Sequence, residues 1–280
     1  MVHGMAAEQR PTGVRLIGRY GLLAFVAVIT LFPVYTTVVA AFKPGNRVLV
    51  NPLVPDSFTL EPIMNAWSDG HLGRYLFNSL VVAGIVTVAQ VVTSLLSAYA
   101  FAMLDFPGRQ ALFVAFLATL LVPLEATLVV NRRTVDSLGW LNSYPGLAVP
   151  FLATAFGTFL VRQAFLGVPG ELRDAARIDG AGHLAFLRHV ALPVIVPTLG
   201  ALGLFSFLSA WNQYLWPNLI TTESSMNTVQ SGLALLRRSE LDQPNLLMAG
   251  TVIAAVPIFA ALLVFQKSLV RGLVSGAVKG

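Results

Sequence analysis

Cysteine is absent from the 280 residues, so disulfides, thiolate metal sites, a cysteine nucleophile and lipid acylation at a cysteine are all excluded. Charge is scarce as well. Asp, Glu, Lys and Arg make up 11% of the chain, against the roughly 25% usual in a soluble domain. Three lysines stand beside fifteen arginines. No Gly-x-x-x-x-Gly-Lys-Ser/Thr phosphate loop and no His-Glu-x-x-His metal helix occurs, so nucleotide hydrolysis or zinc chemistry would have to come from another polypeptide. Nor is any polar stretch long enough for a separate extramembrane domain.

What fills the chain is apolar sequence, 56% of all residues. It falls into six long runs, near 20–42, 76–103, 111–130, 144–166, 194–219 and 246–265. Each approaches the roughly 20 residues that a helix rising 1.5 Å per residue needs to cross the hydrocarbon core. The short alternating segments of a membrane β-barrel are missing. The sequence therefore predicts an all-α polytopic membrane protein: a terminal segment over 1–19, a six-helix membrane domain over 20–265 with a long loop at 167–193, and a tail over 266–280. Arg10, Arg15 and Arg19 before the first run resemble the start of a signal peptide. That run is longer than a signal core and lacks a small-residue cleavage site, so it reads as a retained span.

The net charge of +5 would suggest nucleic acid in a soluble protein, but here the basic residues sit in short loops between spans, and no nucleic-acid partner is expected. With both termini inside, the inner segments hold eleven of the eighteen basic residues and sum to +6, against −1 outside. The positive-inside bias thus predicts cytoplasmic termini.

The loop 167–193 reads GVPGELRDAARIDGAGHLAFLRHVALP. Pro169 and Gly170 can open a helix, Glu171 and Asp174 suit its positive end, and Asp179-Gly180 can close it before a second helix begins. Ala175 and Ala176, flanked by Asp174 and Arg177, give a small, smooth patch suited to close contact with another protein. His183 and His189 are six residues apart, off the spacing that would put two imidazoles on one helical face, so no metal site is expected.

This loop resembles the cytoplasmic motif of ABC importer permeases: Glu-Ala-Ala, three residues, Gly, nine residues, Ile, one residue, Leu-Pro. The matching residues are Asp174-Ala175-Ala176, Gly180, Val190 and Leu192-Pro193, with Asp for Glu and Val for Ile. Phe106-Pro107-Gly108-Arg109, the stretch from Trp211 to Pro217 and the tail from Ser275 to Gly280 extend the likeness to carbohydrate-uptake permeases of the maltose and glycerol-phosphate type. The resemblance implies the type I importer permease fold and a second, homologous permease. It also implies an ATPase dimer that binds ATP and Mg, and an extracytoplasmic solute-binding protein. Glu171, Asp174, Ala175, Ala176, Arg177, Asp179 and Gly180 would then dock on the ATPase, while Ser275 and Lys279 in the tail would reach the nucleotide interface. The chain itself would carry no cofactor.

For the solute path, the sequence offers Trp211, Asn212, Gln213, Tyr214 and Trp216, which mix aromatic faces with amides as sugar recognition does. An interfacial aromatic belt explains the same residues equally well. Glu125, just after Pro123, is a further candidate. Asn78, Gln90 and Thr93 suit hydrogen bonds between helices. The solute is left as a sugar or a glycerol-phosphate-type compound. An ion-coupled secondary transporter is the rival from another class, but it needs buried ionisable groups in the spans, and only Glu125 qualifies.

Overall fold

The computed structural model describes residues 13–45, 51, 53–55, 57–238 and 244–277. Among them every regular element is helical. The long first helix is α1 (Gly13–Ala41), followed by a short α2 (Glu61–Ser68) and by α3 (Leu72–Met103). Next come α4 (Arg109–Ala118), α5 (Leu124–Ser137), α6 (Tyr144–Ala148) and α7 (Ala155–Leu166). The long loop forms α8 (Gly170–Ile178) and α9 (His183–Phe186), and the chain ends with α10 (Leu192–Trp211), α11 (Leu215–Ile220), α12 (Val229–Arg238) and α13 (Pro244–Ala277).

Among the described residues, four stretches are continuous helices long and apolar enough to cross a bilayer: 18–41, 72–103, 183–211 and 244–266. The other two expected spans are broken. The run 111–130 does not form one straight helix, because Pro123 interrupts it and the segments 109–121 and 125–137 meet at 99°. Proline has no N–H to give and crowds the preceding turn, so a sharp bend is its ordinary consequence. The fourth span bends by 48° between 144–151 and 155–166. The fifth begins earlier than expected, at His183, through a π-helical turn over Leu187–Ala191. It also stops at Trp211, so the expected continuation to Leu219 is the separate helix α11.

The middle of the bundle is α3, which packs against α10 and α7 and touches α6 and α12, while α13 packs on α10, α1 and α2. Small residues allow the close approach of α3 and α7. A Cβ on Gly157 would stand 2.3 Å from the Ser94 hydroxyl oxygen, and beside it the Ser97 and Thr158 hydroxyls share a hydrogen bond of 2.7 Å. The polar residues of α3 bridge elements as the sequence suggested. Gln90 donates to the Phe151 carbonyl (2.8 Å) and accepts from Ser206 of α10 (2.6 Å), and Thr93 donates to the Leu152 carbonyl (3.0 Å). Buried Asn78 donates to the carbonyls of Ser225 and Asn227 (both 2.9 Å) and accepts from the Tyr144 hydroxyl (2.8 Å).

Three apolar cores result. At the end where α1 stops and α3 starts, Leu72, Tyr75, Trp211, Val229 and Ala249 join α2, α3, α10, α12 and α13. A middle core gathers Val82, Val86, Leu147, Trp216 and Ile220. At the opposite end Tyr99, Val161, Phe165, Ala176, Phe186 and Ile195 form the third, which seats the loop carrying α8.

Candidate functional site

The sequence places the boundaries of α8 correctly, and the backbone shows why. Pro169 stands as the N-cap with an extended ψ, and Glu171 lies in the first turn near the positive helix end. At the other end Gly180 adopts φ +72°. That left-handed turn lets Gly180 N–H donate to the Arg177 carbonyl (3.1 Å) and Ala181 N–H donate to the Ala176 carbonyl (2.9 Å), the two bonds of a Schellman cap. The glycine of the motif is thus a backbone requirement of the turn.

At 3.6 residues per turn the nine residues of α8 divide into distinct sides. Ala176 is buried in the core formed with Tyr99, Phe165 and Phe186. Roughly opposite it lie Glu171, Asp174 and Ile178, all exposed, with Ile178 at 87%. Neither Glu171 nor Asp174 has an ion pair or side-chain hydrogen bond among the described residues. Arg173 and Arg177, one turn apart, form a basic flank. The expected Ala175-Ala176 patch therefore does not exist as one surface: Ala175 is exposed, while Ala176 is the side chain that seats the helix on its own bundle. Asp179 is exposed at the C-cap.

Two side chains escaped the sequence reading. Ile178 and Leu184 (77% exposed) are large apolar residues on an otherwise polar loop, and that contrast was the available signal. His183 is tied to α3. The Tyr99 hydroxyl donates to the His183 carbonyl (3.2 Å) and lies 3.0 Å from its Nδ1. The Nδ1 of His189 lies 3.1 Å from the Ala185 carbonyl oxygen, apart from that pair, and no group of metal-ligating side chains forms among the described residues.

At the far end of the bundle, α10 stops at Trp211 and the chain turns through Asn212, Gln213 and Tyr214 into α11. Trp211 and Trp216 are 1% and 2% exposed. Trp211 stacks on Phe207, with ring centroids 5.6 Å apart, and Trp216 donates to the Gly146 carbonyl at 3.1 Å. Both rings are covered by this chain's own residues, which departs from the expected aromatic lining of a path. Asn212 and Tyr214 are exposed and Gln213 is partly buried. Asn212 donates to the Leu208 carbonyl (2.9 Å) and accepts from Gln230 (3.3 Å). Glu125 sits exposed in the first turn of α5, directly after the Pro123 break.

Residues 70–275 match the family described as the binding-protein-dependent transport system inner membrane component. The chain belongs to this family. It is a permease, a transport subunit and not a catalytic one. A sn-glycerol-3-phosphate transport system permease protein UgpE of Rhizobium meliloti is 37% identical to it over 278 residues, 95% of this chain and 98% of the relative. The protein of that name from Yersinia enterocolitica is 38% identical over 263 residues, 90% and 94% of the two chains. The fold agrees with that of a bacterial ABC transporter involved in the import of the acidic polysaccharide alginate. That match has a TM-score of 0.79 at 20% identity and covers 95% of this chain and 99% of the other. The permease thus has the type I importer fold.

The tail of the permease differs from a loose terminus, because α13 stays helical to Ala277. Ser275 lies on that helical backbone, and Lys279 lies outside the described residues. At 1.5 Å per residue the 34 residues of α13 span about 51 Å, well beyond the roughly 30 Å of hydrocarbon.

Proposed function

We propose that this permease carries glycerol-3-phosphate or a related polyol phosphate through the inner membrane, as half of a pseudo-twofold pair with a second permease. The support for the solute is 35–38% identity over nearly the whole length to glycerol-3-phosphate permeases. On this reading an extracytoplasmic binding protein delivers the solute, and two ATPase subunits, which bind ATP and Mg, drive the cycle. Both termini and the α8 loop face the cytoplasm, in keeping with the charge bias of the loops.

One observation carries the docking part of the proposal. The outer side of α8 presents Glu171, Asp174 and Ile178 with no partner among the described residues, while its inner side is joined to the bundle through Ala176 and the Schellman cap. A nine-residue helix so exposed is stabilised by what it docks against, since isolated helices of that length are marginal in water. Seated in an ATPase cleft, with Ile178 as the apolar contact, Asp174 and Glu171 facing cations, and Ala175, Arg177, Asp179 and Gly180 at the rim, α8 moves as a rigid body. It then transmits that motion through the Tyr99, Phe165 and Phe186 core to α3, α7 and α10. At the opposite end Asn212, Gln213 and Tyr214 face the solute path where α10 breaks, with Glu125 at the break before α5. The helical extension of α13 carries Ser275, and beyond it Lys279, toward the ATPases.

The test combines cysteine crosslinking at Ala175 and Ile178 with an uptake assay in the native host. Capture of an ATPase subunit at Ile178, together with ATP- and binding-protein-dependent glycerol-3-phosphate uptake, supports the reading. Absence of any ATPase adduct in intact cells overturns the docking, and uptake of neutral sugars alone overturns the solute.

A further inference from the structure

We propose that the cavity between α8 and α3 is a binding site for a phosphate group, gripped by Arg173 and Arg177 and backed by His183 and Tyr99. The cavity measures about 160 Å³ and lies on the flank of α8, beside the face assigned to ATPase docking. Met103 and Phe186 give it apolar walls. That volume holds a phosphate group with a few waters.

The charges make the case for an anion. Arg173 and Arg177 stand one turn apart on the same side of α8, an arrangement in which like charges repel and destabilise the helix. Neither guanidinium has a carboxylate or any other hydrogen-bond acceptor among the described residues. Asp174, three residues before Arg177, forms no ion pair with it among the described residues, Glu171 lies on another side of the same helix, and Asp179 is at its C-cap. Two neighbouring arginines are satisfied by contrast. Arg109 pairs with Asp105 (2.9 Å) and donates to the Leu104 carbonyl. Arg162 donates to the Phe101 carbonyl (3.3 Å) and lies over the Phe113 ring.

The remaining polar groups suit the same ligand. The Tyr99 hydroxyl is committed to the His183 carbonyl, and its oxygen accepts from Nδ1, which fixes the imidazole as a lining group of the cavity. Two guanidinium forks converging on one small space offer more donors than a single carboxylate can accept, whereas a phosphate has three or four acceptor oxygens. The phosphate has two sources at this end of the bundle: a soluble phosphate monoester, or the headgroup of an anionic phospholipid. Either would tie the docking helix to α3, so occupancy would register in transport.

The site belongs to this chain, and only the ATPase readout below rests on the proposed assembly. The transporter, purified with the subunits it brings, is placed in phosphatidylcholine nanodiscs and titrated with radiolabelled orthophosphate and glycerol-3-phosphate. In a second arm the discs contain phosphatidylglycerol, and lipid retained after exchange into phosphatidylcholine is counted by mass spectrometry. The variants are R173Q/R177Q, Tyr99→Phe as a second probe, and Arg188→Gln as a control outside the cavity. Saturable binding in the first arm that falls at least tenfold in R173Q/R177Q, falls less in Tyr99→Phe and is unchanged in Arg188→Gln supports a soluble phosphate. Retention of phosphatidylglycerol lost in R173Q/R177Q alone supports the headgroup. Equal values for wild type and R173Q/R177Q in both arms overturn the site, as does loss of the ATPase subunits in that variant with anion binding intact. If no ATPase co-purifies even with wild type, the importer assembly fails while both binding arms remain readable.

Discussion

The backbone N–H of Ala181 donates to the carbonyl of Ala176 at 2.9 Å, so the residue that buries α8 against the bundle is also the one that caps it. Seating and termination of α8 are therefore one event, and both depend on Gly180 at φ +72°. Gly180→Val places a β-branched side chain in the left-handed region, at a cost of at least about 1–2 kcal/mol. Faster proteolysis within 167–193 and several-fold weaker uptake are expected, with Gly180→Asn in between because asparagine tolerates that region. A Gly180→Val protein with wild-type proteolysis would remove the cap from the argument.

The two alanines of the motif separate by substitution. Ala176 is 7% exposed against Tyr99, Phe165 and Phe186, whereas Ala175 is exposed. Ala176→Leu overpacks that core by about 1–3 kcal/mol and lowers the thermal midpoint of the purified protein. On the proposed docking, Ile178→Ser leaves the midpoint unchanged, yet abolishes recovery of ATPase subunits on affinity purification. Equal thermal behaviour of Ala176→Leu and Ala175→Leu would contradict the orientation of α8.

The loop was legible in the sequence because its signals are local: a proline start, acidic residues in the first turn, a glycine stop. The third span was less so. Pro123 is a local signal for a break inside the expected span 111–130, but the 99° angle depends on how α4 and α5 pack, which no local rule supplies. The fifth span misled in another way, since Leu215, Trp216 and Leu219 continue the apolar run while the backbone turns away at Asn212. Hydropathy counts apolar residues and is blind to a helix that ends among them. The Tyr99 and His183 pair joins residues 84 apart, so it exists only in the folded chain.

Helix contacts within the bundle make a third prediction. A Cβ on Gly157 would stand 2.3 Å from Ser94 and 3.1 Å from Leu202, while one on Gly84 would meet nothing within 4 Å. Gly157→Val should destabilise by about 3 kcal/mol as α3 and α7 are forced apart, and Gly84→Val should be close to neutral. Chemical denaturation in detergent measures both, and similar effects at the two sites would refute the close packing.

Asn78 is a fourth case, a buried amide that satisfies two backbone carbonyls and one hydroxyl on two different segments. Asn78→Leu strands all three partners, with an expected cost of about 2–3 kcal/mol or more. Tyr144→Phe removes only one bond and should cost about 1 kcal/mol. Hydrogen exchange would show the loss as faster exchange over 225–229, the segment that Asn78 and Ser79 hold to α3. Unchanged exchange there in Asn78→Leu would deny the amide its bridging role.

The two tryptophans of α10 and α11 separate packing from solute contact. The Trp216 indole N–H donates to the Gly146 carbonyl, whereas the buried Trp211 indole N–H has no acceptor among the described residues. Replacing each by Phe removes similar volume, but only Trp216→Phe breaks a hydrogen bond, so it should be the less stable variant by about 1 kcal/mol. If both rings serve packing alone, uptake per folded transporter stays at the wild-type level in both variants and only stability moves. A solute contact would do the reverse, raising the apparent KM at constant stability. Tyr214→Phe, at an exposed position beside them, is the variant expected to raise KM, because its hydroxyl is free to meet a solute. A rise in KM for Trp211→Phe with Tyr214→Phe unchanged would return the aromatic path to the buried face of the break.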